Sequence, residues 1–269
     1  MYDYKVAKEA FVDEIRVDDY IDIRSSKKAY NKLLEGLERP FKMILLYGQP
    51  GTGKTMMLNH IYINHRHQKD LHLIDTPLLT QNDLYSRLFH IFTGTKLPPN
   101  TKVNFDTLVE YGRRIKGKRE IAIMIDEAQM YPQNVLEEIR IMSDTGSLKF
   151  VIALHKTEDE ELIAKEHFKT RIWESIELKN ATLEETKVYV YKKLLNRGLI
   201  DIANQFTPKH HKLIYKFTKG NFRDCSKLMY GLFEICEYYD EFEPSKIDSE
   251  HLPIKILEMA ALRTGLIDA

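Results

Sequence analysis

Residues 48–55 read Gly48-Gln49-Pro50-Gly51-Thr52-Gly53-Lys54-Thr55 and follow directly on the apolar run Met43-Ile44-Leu45-Leu46-Tyr47. This order restricts the chain to a narrow set of folds. A buried strand delivers the backbone into a glycine turn, and Met56, Met57, Leu58 and Ile61 then continue at helical spacing. The N–H groups of such a turn converge with the positive end of the helix, an arrangement suited to a polyphosphate. Gly48, Gln49, Pro50, Gly51, Thr52, Gly53, Lys54, Thr55 and Met56 are therefore candidates for contact with a nucleotide such as ATP. Lys54 would reach the β and γ phosphates, and the Thr55 hydroxyl would be a ligand of Mg²⁺.

With 269 residues, 43% of them hydrophobic and 30% charged, the chain can build a large core, one α/β domain with a smaller companion. Forty basic and forty acidic residues cancel, so nothing at whole-chain level attracts nucleic acid or an anionic membrane. Any such attraction has to be local. Cys225 and Cys236 lie on one apolar helical pattern with Phe222, Leu228, Met229, Leu232 and Phe233 and read as reduced core residues, in keeping with a cytoplasmic address. The amino terminus lacks a cleavable apolar segment. No stretch approaches the ~18 uninterrupted apolar residues of a spanning helix, so no membrane span is expected.

Five short apolar runs read as strands, at 42–47, 71–75, 121–125, 149–154 and 172–178. Three are continuous enough to be buried on both faces, the habit of a parallel sheet covered by helices. Helical patterns lie between them: Leu84, Leu88 and Ile91 after a Thr80 cap, then Phe105, Leu108 and Val109, then Val135, Leu136, Ile139 and Met142 after Pro132. Strand and helix alternate, which defines an α/β core. Beyond the fifth strand the pattern is wholly helical. Thr182-Leu183-Glu184-Glu185 forms a capping box, Thr207-Pro208 opens a second helix that Gly220 stops, a third runs from about Phe222 to Tyr238, and Leu252 to Leu262 forms a fourth. The expected organisation is a P-loop core over 1–179 with a five-stranded parallel sheet, and an all-helical lid over 180–269.

The third strand ends in Asp126-Glu127, so apolar residues bury the strand while two carboxylates emerge at its carboxyl edge beside the phosphate loop. Asp126 would hold Mg²⁺, and Glu127 would polarise the attacking water as general base.

The order of phosphate loop, Asp126-Glu127-Ala128-Gln129, Leu136-Glu137-Glu138-Ile139-Arg140 and a helical lid with Thr182-Leu183-Glu184-Glu185-Thr186 resembles the AAA+ ATPases. Within them it is similar to the ATPase domain of the general (type II) secretion pathway A component, with signatures shared by transposition ATPases and origin-recognition initiators. The resemblance spans about Tyr20 to Leu262. It implies ATP hydrolysis, a 5-1-4-3-2 parallel sheet, a lid over the nucleotide and ATP-dependent self-assembly into a homo-oligomer. His155 then falls where such ATPases place a polar γ-phosphate sensor, in place of the more usual Asn, Thr or Gln, with Lys156 and Thr157 as alternatives. Arg171 falls where an arginine finger enters a neighbouring subunit's site. Arg223, in Gly220-Asn221-Phe222-Arg223, matches the lid's second sensor.

The secretion-pathway relative implies work on a secretion or pilus-like apparatus, the type II secretion and DNA-uptake class, through a membrane-apparatus protein partner that holds the ATPase peripherally at the inner membrane. That relative continues into a membrane helix, whereas this sequence stops at Ala269, so a fragment or a cytosolic relative is expected. The alternative is a DNA-binding regulator of transposition or replication type. Lys187, Lys192, Lys193, Arg197, Lys209, Lys212, Lys216, Lys219, Arg223 and Lys227 outnumber the acids between 181 and 230, so DNA would be held by this basic lid. His65-Arg66-His67 and His210-His211 lack the spacing of a helical zinc site and read as solvated helix ends.

Overall fold

A computed structural model describes residues 2–98, 101–156, 169–247 and 252–268. Five strands, β1 (Met43–Gly48), β2 (Leu71–Ile74), β3 (Ile121–Ile125), β4 (Leu148–His155) and β5 (Ile172–Leu178), form one sheet in the order β2-β3-β4-β1-β5, parallel throughout. This is the 5-1-4-3-2 order implied by the resemblance. Parallel neighbours need crossovers, and the helices that supply them cover both faces.

Alternation along the strands divides the core in two. Met43 and Leu45 of β1, with Ile121, Ile123, Phe150 and Ile152, meet α4 (Gln81–Thr93), α5 (Phe105–Ile115) and α6 (Gln133–Ser143) through Leu84, Leu88, Leu108, Val135 and Ile139. Ile44 and Leu46, with Met124, Val151 and Ile176, meet α2 (Arg24–Glu38) and α3 (Lys54–His65) through Leu33, Leu37, Met57, Leu58 and Ile61. On β1, β3 and β4 each residue thus serves the face its parity assigns, while β5 changes face across the register shift that follows Ile172. Thr80 caps α4 through a capping box with Asp83, as its position before the apolar stripe predicts.

The chain divides into two compact units. One comprises Lys28–Gln49 and Lys54–Leu178; the other comprises Met1–Lys27, Pro50–Gly53 and Lys179–Ala269. The first 27 residues cluster with the helical part and not with the α/β core. Their helix α1 (Tyr4–Glu9) lies along α10 (Phe222–Phe242), with the rings of Tyr4 and Phe11 at 6.3 and 5.9 Å from that of Phe233. A six-residue helix carries too little periodicity to reveal which core it joins.

The helical unit contains the four expected helices as α7 (Leu183–Leu195), α9 (Pro208–Thr218), α10 and α11 (Ile254–Arg263), and adds a short α8 (Ile200–Asn204). Thr182 and Glu185 make the expected capping box. Burial pushes the thiols of Cys225 and Cys236 up to about 12, which leaves them inert packing groups.

His210 departs from the reading of a solvated helix end. It is buried, its Nδ1 accepts from the Thr207 N–H at 3.1 Å, and its Nε2 faces the Leu252 carbonyl at 2.7 Å. The imidazole serves as the acceptor of a capping box, a place where the residue type usually sought is Glu or Gln.

Gly220 carries a backbone requirement of its own. Its φ is 75°, its carbonyl accepts from Ala181 N–H at 2.9 Å, and a Cβ there would lie 1.9 Å from the Ala181 oxygen. Gly220→Ala is expected to cost about 2 kcal/mol or more, from the left-handed backbone and the clash together. A denaturant titration checks this; an unchanged midpoint would show that the contact yields without cost.

Candidate functional site

The phosphate loop is built by two left-handed glycines. Gly51 and Gly53 have φ of 81° and 92°, and α3 begins immediately at Lys54. The turn therefore folds its backbone around the amino end of a helix. Lys54 is only 6% exposed and donates to the carbonyls of Gly48 at 2.7 Å and Gln49 at 3.1 Å. Carbonyl oxygens are weak partners for an ammonium group compared with phosphate, so the lysine is positioned to exchange them for a polyanion.

Parallel pairing aligns the other groups. Gly48 lies opposite His155, and Ile125 lies opposite Ile152, so the ends of β1, β3 and β4 share one edge. The Asp126 N–H continues the ladder to the Ile74 carbonyl at 3.0 Å. Asp126 is 3% exposed, its carboxylate accepts from the Glu127 N–H at 3.0 Å, and the Thr55 side chain approaches it closely enough to lower its pKa. Burial raises the Asp126 pKa above its ordinary 3.8, and the neighbouring Glu127 charge adds to this, against the opposing Thr55 side chain, the Glu127 N–H and the Lys54 charge.

Glu127 sits at φ 49° and ψ 41°, a left-handed backbone that costs a non-glycine residue energy. The surrounding contacts fix it there. The Gln129 amide donates to Glu127 Oε2, His155 Nε2 lies 3.5 Å from the same oxygen, and Gln129 Nε2 lies 3.4 Å from His155 Nδ1. Gln129 is thus a member of the site that the candidate residues omitted, although the Asp-Glu-Ala-Gln run contained it. Its Oε1 is buried and finds no hydrogen-bond partner among the described residues, which leaves one acceptor free beside the carboxylate. Lys156 instead pairs with Glu177 at 2.8 Å, and Thr157 lies outside the described residues.

Arg171 is not brought to this edge. It precedes β5, whose Ile172 pairs with Met43 at the amino end of β1, while Leu178 pairs with Gly48. The length of the strand, about 20 Å at ~3.3 Å per residue, separates it from the loop. There Arg171 Nε and Nη2 each donate to Asp144 Oδ2 at 3.1 Å, and Lys42 Nζ donates to Asp144 Oδ1 at 2.7 Å. Burial raises the Asp144 pKa, but the hydrogen bonds from Lys42 and Arg171 prevail and hold it below the ordinary value.

In the helical unit, Asn221 caps α10 by accepting from the N–H groups of Arg223 and Asp224. Its amide donates to the Pro50 carbonyl at 2.7 Å, and the Phe222 N–H donates to the Gly51 carbonyl at 3.1 Å. The exposed Arg223 guanidinium faces Asp13 at 3.3 Å.

The oxygen donors suit magnesium. Thr55 and Asp126 supply one hydroxyl and one carboxylate, and among the described residues no group of three His, Cys, Asp or Glu is arranged to hold a metal. Mg²⁺ is characteristically held in this way, by one or two protein oxygens plus substrate phosphates and water.

Residues 39–162 match the family model described as AAA domain. Among solved structures, the chain is similar to the ORC1 protein of Aeropyrum pernix in complex with DNA, at 17% identity and TM-score 0.64, covering 95% of this chain and 69% of that one. It is also similar to CDC6P from Pyrobaculum aerophilum, at 12% identity and TM-score 0.64, over 96% and 71% of the two chains. A Walker-type ATPase of Pyrococcus abyssi matches at 18% identity and TM-score 0.58, over 95% and 77%. No curated protein matches the chain in sequence. The fold is that of an AAA+ P-loop NTPase with a helical carboxyl-terminal region. The narrower resemblance to the secretion-pathway A component is not reproduced by these relatives.

Because Asp126 is protonated more readily when folded, it lowers stability as pH rises from 3.8 through its folded-state pKa, and the cost is fully present above that pKa. Asp126→Asn is expected to melt no lower than the parent at pH 7 without nucleotide, while Mg-ATP turnover falls about a hundredfold. Thermal scans at pH 7, paired with phosphate release, check both halves. A variant that melts lower at pH 7 would contradict the burial cost.

Proposed function

We propose that this chain is a Mg²⁺-dependent ATP hydrolase whose protomers assemble on ATP, each site being completed by Arg171 of a neighbour. The observation that carries this reading is the division of groups between the two ends of the sheet. Lys54, Thr55, Asp126 and Glu127 gather at one edge, and Arg171 stands at the other, too far to act within its own chain.

Lys54 would exchange its carbonyl partners for β and γ phosphate oxygens, and the loop amides would hold the remaining charge. Thr55 and Asp126 would hold the metal, which when bound neutralises charge on the phosphates. Glu127 would accept the proton of a water whose oxygen bonds to the γ phosphorus as the bond to ADP breaks. Gln129 and His155 would keep that carboxylate aimed, and Arg223 would serve as the lid's cation. From the neighbour, Arg171 would stabilise charge on the transferring phosphoryl group.

The driven process has two readings. Work on a secretion or pilus-like apparatus, with a membrane-apparatus partner at the inner membrane, rests on the sequence resemblance alone. Among the described residues no helix is long and apolar enough to cross a membrane. A nucleic-acid role draws on a specific observation: the similar structures include ORC1 in complex with DNA and Drosophila ORC bound to DNA. We favour the second reading.

Turnover and sedimentation, measured together with and without ATP, test the assembly. Lys54→Ala is expected to lose nucleotide binding. Glu127→Gln should keep ATP and stay assembled while turning over at least about a hundredfold more slowly. Arg171→Ala should bind ATP normally and lose about a thousandfold in rate. A parent protein that remains monomeric in every nucleotide while turning over ATP would rule out the shared site.

A further inference from the structure

We infer that the outer face of α9 is a docking ridge for the phosphate backbone of double-stranded DNA; this rests on the nucleic-acid reading above. Lys209, Lys212 and Lys216 are exposed and at 100° per residue fall within an arc of roughly 60°, and the exposed Lys219 follows at the left-handed cap that ends the helix. The opposite side of the helix, His210, Ile214 and Thr218, is buried. From Pro208 to Lys219 the segment contains no acidic residue.

The lysines of this ridge differ from several others on the protein. Lys8, Lys32, Lys42, Lys69, Lys149 and Lys246 are each paired with a carboxylate. Among the described residues none of the four on α9 has a carboxylate within 4.0 Å, and Lys187 of the adjoining α7 adds to the same field, as its effect on His211 records. Four unpaired cations in a row repel one another, so the arrangement lowers the stability of the free protein and is relieved by a polyanion. It stands out in a chain whose charges otherwise cancel.

Spacing and chemistry select the partner. Ten residues of helix span about 15 Å, and one DNA strand presents a phosphate every ~3.4 Å along the duplex axis, so four lysines face about four phosphates. Lysine contacts of this kind position a protein on the backbone without reading bases. A membrane surface fits less well, because an interfacial helix needs apolar residues exposed beside its cations. On α9 Leu213, Ile214 and Phe217 turn into the helical core instead.

The test uses the full chain and a mixed-sequence 30-base-pair duplex, with binding followed by fluorescence anisotropy from low to moderate salt. The parent is expected to show a slope of log K against log salt of roughly −3.6, four phosphates at about −0.9 each. Lys209→Gln with Lys212→Gln, and separately Lys216→Gln with Lys219→Gln, should each remove about half of that slope and weaken binding at least tenfold at low salt. Both pairs should leave DNA-free ATP turnover unchanged and the thermal midpoint no lower than the parent's, which separates a lost surface from a lost fold. Lys96→Gln with Lys102→Gln and Lys118→Gln, exposed on the other unit, should stay within about twofold of the parent. Duplex binding indifferent to the ridge variants would overturn the ridge while sparing the nucleic-acid reading. No duplex binding at all, or ridge-dependent capture only by phosphatidylserine vesicles, would overturn both.

Discussion

The close approach of the Thr55 side chain to the buried Asp126 carboxylate, which opposes the effect of burial on its pKa, is the interaction on which the site depends. It ties the first turn of α3 to the end of β3, two segments far apart in sequence. The sheet brings the loop and β3 to one edge, and this contact sets the first turn of α3 against the carboxylate. That group is costly to keep, since a desolvated carboxylate beside Glu127 is unfavourable in the free protein. The left-handed backbone of Glu127 adds strain at the next residue. Both costs fall where a divalent cation and a polyphosphate would offset them, a pattern common in sites tuned for chemistry over stability.

The parallel sheet explains why these groups meet while Arg171 does not join them. Every strand runs the same way, so all carboxyl ends share one edge and all amino ends the other. Gly48, Asp126 and His155 follow from the first fact. Arg171, Asp144 and Lys42 follow from the second, and their mutual contacts hold the guanidinium at the margin of the subunit. A single sheet of this kind separates phosphate loop and arginine by its own length, so a site that used both would need a second chain.

Much of this was legible before the structure. The phosphate loop declared itself through glycine spacing behind a strand, and β3 through five uninterrupted apolar residues before Asp126. The capping box at Thr182 was readable because hydroxyl and carboxylate stand three residues apart, and Thr80 was readable as a cap before an apolar stripe. What stayed hidden depends on long-range contact. Whether Tyr4 and Phe11 join the α/β core or Phe233 is decided by packing that local periodicity does not encode. His210 looked like a surface residue because its two partners include the carbonyl of Leu252, forty-two residues away. Gln129 was passed over since a lone glutamine has no distinctive chemistry until Glu127 and His155 are seen around it.

The proposed sharing of an ATP site between protomers is tested most directly by complementation between two variants expected to be inactive. Glu127→Gln keeps its arginine but has no base, and Arg171→Ala keeps its base but has no arginine. ATP turnover is measured for each alone and for their mixture at assembling concentrations. The expected result is turnover in the mixture well above the sum of the separate samples, because intact bases then meet intact arginines across an interface. A mixture no more active than that sum, in samples shown to co-assemble, would contradict the placement of Arg171 in a neighbour's site.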